Sequence, residues 1–284
     1  MRVRSVAGNP AMIHNRNVRC VHISDLHLDL VNRTPQGVPV WDHFFWARKT
    51  ARNLNPDLVV ITGDLALDQG SEELYREIAS ELVFPGAQVL LVPGNHDKRE
   101  YFATAFGRRY TLDPHWPRLD RVVETGGRTM ILLDSADGEI SRETLAWLDS
   151  FLTSTASAVR RGEQDGTVLL WMHHPPLGGF NRFMDTNYPL RNGRELVSLL
   201  EGFAGLLRFH LFCGHYHTDD QRHQENITQY SVPSTWIQLD PETPGFAVAS
   251  RVAGLRLVDI DSSGTVETLV IEQAPETLSS PADS

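Results

Sequence analysis

Six short apolar runs constrain this chain more than any other feature. They lie at 18–23, 58–61, 89–92, 130–133, 168–172 and 209–213. Each is as long as a strand and too short for a helix. Their near-continuous hydrophobicity predicts strands buried on both faces. Between them lie helical patterns. Residues 71–83 place Leu74, Ile78 and Leu82 on one face behind Ser71, and residues 141–152 place Leu145, Leu148 and Leu152 behind Ser141. Residues 193–203 follow Asn192, with Glu195 three positions on, which predicts a capping box. Alternating strands and helices define an α/β chain. After residue 225 the pattern changes to runs at 227–232, 246–250, 255–260 and 265–271, separated by Gly and Asp-Ser turns. They predict an antiparallel second part of the sheet system without a domain boundary. Residues 18–272 are expected to form one domain, with a loose arm at 1–17 and a frayed tail at 273–284.

Five of the six buried runs lead straight into polar residues able to hold a metal. Asp25 and His27 follow the first, Gly63-Asp64 the second, and Gly94-Asn95-His96-Asp97 the third. His173-His174-Pro175-Pro176 and Gly214-His215-Tyr216-His217 follow the last two. Open α/β sheets bind ligands beyond the carboxyl ends of their strands, so clusters far apart in sequence can meet at one edge. The i, i+2 spacing of Asp25/His27 and of His215/His217 would aim both members of a pair the same way in an extended segment. Taken singly, each cluster has an ordinary reading as a cap, a turn or a strand stop. Five such turns bearing only metal-competent groups predict a metal centre.

The ordered set D-x-H, G-D, G-N-H-D, H-H-P-P and G-H-x-H resembles the calcineurin-like metallophosphoesterase superfamily. The likeness covers residues 18–235. Within the superfamily the chain resembles the class III cyclic-nucleotide phosphodiesterases and the related glycerophosphodiesterases. The Asp-Ser after 130–133 and the Pro-Ser-Thr at 233–235 share in that likeness. The resemblance implies a four-layer αββα sandwich of two mixed sheets flanked by helices. It implies one metal on Asp25, His27, Asp64 and His217, and a second on Asp64, Asn95, His173 and His215. Asp64 would bridge, since a carboxylate offers two oxygens. His173 closes its strand run and matches the family position; His174 is left to an outer role, with the assignment open by one residue. The resemblance also places His96 over the phosphate near the leaving oxygen, with Asn95 beside it. Asp97 either orients that imidazole or caps its loop.

Imidazole plus hard oxygen, with no thiolate, favours Mn, Fe or Zn, and the resemblance implies Fe with Mn. Two such ions would acidify a bound water, clamp the phosphoryl oxygens and stabilise an in-line displacement, so the expected chemistry is attack by a metal-bound hydroxide on a phosphodiester. The expected substrate is a cyclic nucleotide, 3′,5′- or 2′,3′-cyclic AMP, with glycerophosphodiesters or a broader di- and monoesterase activity as the alternative. A scaffold that binds metal without catalysis is a remote rival, because the ligands and His96 are all present. In segment 178–187, Phe180, Phe183 and Met184 offer apolar surface to cover the site and stack a base. Packing on the chain's own core or against a second subunit is the other reading, and the latter allows a homo-oligomer. Arg182 and Arg191 would meet phosphate or simply face water.

A net charge of −10 argues against duplex nucleic acid or an anionic membrane as partner. No apolar run reaches the length of a membrane span, and residues 1–17 lack the apolar stretch of a signal peptide. Cys20 and Cys213 sit inside apolar runs, as core thiols of a reducing compartment do. The expected location is the cytoplasm.

Overall fold

A computed structural model describes residues 17–30, 33–178 and 181–274. The expected arm and tail lie outside these residues, apart from Asn17 and residues 273–274. The first half of the chain runs β1 (Val18–Ile23), α1 (Val40–Asn53), β2 (Leu58–Thr62), α2 (Glu72–Glu81), β3 (Gln88–Val92), α3 (Arg99–Phe106), β4 (Arg121–Thr125) and β5 (Arg128–Leu133). It continues through α4 (Arg142–Arg160), β6 (Thr167–Met172), α5 (Arg182–Asn187), α6 (Gly193–Glu201) and β7 (Arg208–Cys213). The last strands are β8 (Asp220–Gln224), β9 (Ile227–Ser231), β10 (Gln238–Leu239), β11 (Val248–Ser250), β12 (Gly254–Ile260) and β13 (Val266–Glu272). All six apolar runs are strands.

The strands form two mixed sheets and a small ribbon. One sheet has the order β13-β12-β1-β2-β3, the other β4-β5-β6-β7-β9-β8, and β10 pairs with β11. Alternate side chains explain the layering. Val18 and Cys20 meet Met130, Leu132, Trp171 and Phe212 in a core between the sheets. Val21 and Ile23, pointing the other way, pack with Phe44, Ala47, Leu74 and Ile78 of α1 and α2. On the far side, Leu170 and Leu211 meet Leu148, Leu152, Leu196 and Leu200 of α4 and α6. The result is the expected αββα sandwich. Across the middle, Trp171 stacks on Phe212 at 4.3 Å between ring centroids, and Phe212 on Tyr230 at 5.1 Å.

Two sequence expectations need correction, and some elements were not foreseen. The late strands pair antiparallel with one another and with β8, as expected, but they are divided between the two sheets and the ribbon instead of forming one part. β9 runs parallel to β7, with Phe209 opposite Ile227, while β12 joins the first sheet antiparallel to β1 and β13 pairs antiparallel to β12. Helix α1 went unforeseen because it starts behind Pro39, without a polar cap; its buried Val40, Phe44, Ala47 and Ala51 nevertheless follow helical spacing. The capping box is also absent. Asn192 spends its side chain on the backbone of Ile140, accepting from the N–H at 3.0 Å and donating to the carbonyl at 2.7 Å. It thereby ties the start of α6 to the turn leading into α4, where Ser141 does cap Thr144 N–H at 3.0 Å. Strands β4 and β8 escaped notice because they are polar edge strands.

Removing Asn192 leaves a peptide group without its two partners, whereas removing Ser141 opens one helix end. Asn192→Ala is expected to lower unfolding free energy by about 1–3 kcal/mol, the cost of unpaired buried polar groups. Ser141→Ala should cost about 1 kcal/mol. Urea unfolding measures both, and a loss at Asn192 smaller than that at Ser141 would contradict the assignment.

Candidate metal centre

The loops after β1 and β2 keep running side by side beyond the strands. Asp25 N–H donates to Gly63 O, His27 N–H to Asp64 O, and Leu28 N–H to Leu65 O, each at 3.0 Å. Leu26 and Leu28 turn into the core, and Asp25 and His27 turn out of it. The expected shared direction of Asp25 and His27 is therefore met, but not by extended backbone. Asp25, His27, Asp64, His215 and His217 all have φ between 47° and 70°. This left-handed conformation is one that Asp and His adopt more readily than most residues. It folds each loop back tightly enough to bring side chains from separate strands together.

Glycines make room for that crowding. A Cβ at Gly94 would fall on the Asp64 carboxylate, and one at Gly214 on Ser24 Oγ and Asp25. Ser234 and Thr235, from the Pro-Ser-Thr turn, both donate to Asp25 O, at 2.9 and 3.3 Å. The Asp-Ser after β5 supplies Ser135, whose hydroxyl meets His174 Nδ1 at 3.0 Å. His174 thus has a partner away from the centre, while the Nε2 of His173 faces Asp64 Oδ2 at 3.4 Å and Asn95 Oδ1 at 3.1 Å.

The convergence is dense. His217 Nε2 lies 3.3 Å from Asp25 Oδ1 and 3.3 Å from His27 Nε2, which lies 3.7 Å from Asp64 Oδ2. On the other side, His215 Nδ1 is 3.1 Å from His173 Nε2. Backbone carbonyls fix the tautomers. His173 Nδ1 faces Thr62 O at 2.6 Å, His217 Nδ1 faces Ile237 O at 3.0 Å, and His215 Nε2 faces Tyr188 O at 2.9 Å. A carbonyl only accepts, so these nitrogens carry the hydrogens and the opposite nitrogens present lone pairs inward. Imidazoles that bind metals are held in this way.

Charge settles what the cluster needs. Asp25, Asp64, His173, His27, His215 and His217 are all buried, and the recorded ion-pair partners of the two carboxylates are histidines alone. Buried carboxylates require a cation. Burial would raise Asp64, but His173 and then His27 hold it well below the usual carboxylate range. Burial pushes His27 and His215 down to about 3, keeping them neutral. Burial also works to lower His173, yet Asp64 overrides it and lifts the ring to about 9. That position seeks positive charge. Asp25, His27 and His217 form one group able to hold an ion, and Asp64 joins His173 and Asp25 in a second. Neutral His27 and His215, two carboxylates that call for a cation, and a His173 whose inward proton a metal ion would replace fit two divalent metals.

Asp64 reaches both groups through one oxygen. Its Oδ1 accepts the His96 N–H at 2.9 Å, and its Oδ2 faces His27 and His173. His96 directs Nδ1 to Leu67 O at 2.7 Å and leaves Nε2 facing the centre, 4.0 Å from Asp64 Oδ2. Asp97 does not orient His96. Its Oδ1 accepts from Leu65 N–H at 3.0 Å and Tyr75 O–H at 2.7 Å, and its Oδ2 from Gly94 N–H at 2.8 Å. It caps its own loop and ties it to the loop after β2. Burial and then the Asp64 charge push its carboxyl up to about 6.

The ligand cluster floors a cavity of about 320 Å³ with Asn95 and His96 at its edge and Met184 in its wall. Phe180 lies outside the described residues. Neither Arg182 nor Arg191 lines the cavity; Arg191 instead pairs with Glu139 and Asp137 O. Phe183, expected from the sequence, lines it too, and Trp236, Leu239, Tyr188 and Phe246 complete the wall. Sequence reasoning missed these four because no motif marks them. The one available signal was Trp236, directly after the Pro-Ser-Thr turn, and its ring sits 4.6 Å from that of His27.

A family model described as calcineurin-like phosphoesterase matches residues 18–219. A probable cyclic nucleotide phosphodiesterase of Fibrobacter succinogenes is 34% identical over 237 residues, covering 84% of this chain and 87% of that protein. The 3′,5′-cyclic adenosine monophosphate phosphodiesterase of Escherichia coli (strain K12) is 29% identical, covering 89% of each. Among solved structures, a dimetal phosphatase from Danio rerio superposes with a TM-score of 0.61 at 16% identity, over 89% of this chain and 98% of that one. This last likeness concerns the fold.

Asp64 lies between the two sides of the cluster, facing His27 on one and His173 on the other. Asp64→Ala is therefore expected to lose metal at both positions, and His217→Ala mainly at one. Elemental analysis after dialysis reads this directly, and a single equivalent in fully active wild type would overturn the two-metal assignment.

Proposed function

The chain belongs to the calcineurin-like phosphoesterase family, and on that premise we propose that it hydrolyses a cyclic-nucleotide phosphodiester at a dinuclear centre. Asp25, His27, Asp64 and His217 would hold one ion, and Asp64, Asn95, His173 and His215 the other. When bound, the ions supply a water acidic enough to ionise near neutral pH and a clamp for the phosphoryl oxygens. Imidazole and carboxylate ligands without a thiolate suit Fe and Mn, and also Zn. The buried, unpaired thiols of Cys20 and Cys213 fit a cytoplasmic location. Among the described residues, no helix is long and apolar enough to cross a membrane.

The chain's own residues do the rest. The His96 N–H fixes the Asp64 carboxylate. Because Nδ1–H is committed to Leu67 O, the ring gives a proton from Nε2 only as the imidazolium. Its position at the cavity edge suits it to protonate the departing ribose oxygen. Asn95 and His96 border the cavity where a phosphoryl group would sit.

The observation that carries the diester reading is the make-up of this cavity. Its floor is the metal cluster, its walls are apolar, and no lysine or arginine among the described residues lines it. A diester carries one negative charge, which the centre can neutralise. The apolar walls also give the second ester group of a diester a surface to pack on, and a monoester has no such group. The relatives' named substrates point the same way.

A panel of 3′,5′- and 2′,3′-cyclic AMP, glycerophosphodiesters and p-nitrophenyl phosphate, assayed with Mn, tests the class. A diester should give the highest kcat/KM; if the monoester exceeds every diester, the reading fails.

The role of His96 has a separate test. His96→Ala should keep both metals and slow cyclic AMP turnover by about 10²–10⁴-fold, the usual range for general acid catalysis. Turnover of bis(p-nitrophenyl) phosphate should fall far less, because nitrophenolate departs without a proton. Equal losses on both substrates, or loss of metal, would refute the acid role.

A further inference from the structure

Residue Tyr188 meets the cavity and the metal centre with different parts of itself. The residue lines the cavity and is 54% exposed, as Phe246, also lining it, is at 50%. Exposed large aromatics are few here: Phe45, Tyr188 and Phe246 among the described residues, and two of the three border this one cavity. Phe183 stands between them, with ring centroids 5.6 Å from Tyr188 and 6.1 Å from Phe246, both edge-on. Bare aromatic faces beside a phosphate-sized floor provide a place for a planar ring. A volume of about 320 Å³ also exceeds what a phosphoryl group alone requires.

The backbone carbonyl of Tyr188 serves the metal centre, accepting from His215 Nε2 at 2.9 Å. That bond fixes the tautomer that turns Nδ1 of His215 inward. Residue Tyr188 also ends helix α5, its N–H bonded to Met184 O at 2.8 Å. The same helix touches the Gly214–His217 loop a second time, through Tyr216 O–H to Asp185 at 2.9 Å. Helix α5 and the ligand loop are therefore joined at two points, and the exposed ring projects from one of them.

We propose that Tyr188 is the specificity-determining residue for the base of the substrate and couples base binding to the hold on His215. The proposal rests on the phosphodiesterase reading above. A base stacked on the ring steadies the end of α5, and the steadied carbonyl keeps His215 in place. A substrate without an aromatic group gains neither effect.

Two readouts test this on the metal-loaded, full-length protein. The first is the KM for 3′,5′-cyclic AMP against that for glycerophosphoethanolamine, which has no ring. Base–aromatic stacking predicts that Tyr188→Ala raises the cyclic AMP KM about ten-fold or more and leaves the other KM within about two-fold. Tyr188→Phe should restore it, since only the ring face is used. If wild type cleaves no cyclic nucleotide, the substrate assignment has failed, and bis(p-nitrophenyl) phosphate replaces cyclic AMP as the aromatic substrate in the same comparison.

The second readout is metal loss to EDTA, followed by elemental analysis, with and without saturating adenosine. Adenosine carries the base but no phosphate to bind metal. It should slow metal loss at least about three-fold in wild type and Tyr188→Phe, and have no effect in Tyr188→Ala. The Ala variant keeps the carbonyl, so its metal content at rest should equal that of wild type. Equal KM increases on both substrates, adenosine protection that survives in Tyr188→Ala, or metal missing from that variant at rest would each overturn the proposal.

Discussion

Two carboxylates buried away from lysine and arginine shape the whole carboxyl edge of the sheets. Asp25 and Asp64 are almost fully enclosed, and an ionised carboxylate in such a place is unfavourable by many kcal/mol unless a cation answers it. Four imidazoles, each turned by a backbone carbonyl or by packing, surround them with lone pairs. The loops have no reason to fold back so tightly except to assemble this cluster. Each left-handed turn at Asp25, His27, Asp64, His215 and His217 costs on the order of 1 kcal/mol, and binding of metal is the interaction able to offset the sum.

The rigid parts of the fold follow from that need. Parallel β1, β2 and β3 present their carboxyl ends side by side, and β6 and β7 do so on the facing sheet. The core between the sheets sets the gap across which His173 and His215 meet Asp64. The stack of Trp171, Phe212 and Tyr230 fixes that gap with flat, unyielding rings. A ligand set drawn from five loops can hold a metal geometry only if the strands beneath the loops cannot slide.

Much of this was legible because burial on both faces leaves a simple trace. The six apolar runs became six strands, and the polar residues behind five of them came together. Elements with one wet face were harder to see: β4 and β8 are polar edge strands, and α1 has no polar residue announcing its start. Asn192 shows a different limit. Its spacing to Glu195 matches a capping box, but the side chain found better partners on Ile140, which lies 52 positions away and is near only in the fold. The role of Asp97 was hidden for the same reason, since its partners on the neighbouring loop are not adjacent in sequence. The cavity wall came least of all from the sequence, because Tyr188, Trp236 and Phe246 come from three separate connections and Leu239 from the short strand β10.

The place of β12 has a consequence for how the chain comes off the ribosome. β1 is made first, yet its outer neighbour in the finished sheet is a strand more than 230 residues later, with Val18 opposite Ile260. Until that strand emerges, β1 has one open edge, flanked by apolar residues and able to pair with any other extended chain. Synthesis therefore passes through a long interval in which the oldest strand is exposed to aggregation. Loss of the strand that begins at Gly254 would therefore reopen an edge of β1 as well as remove one strand from the sheet.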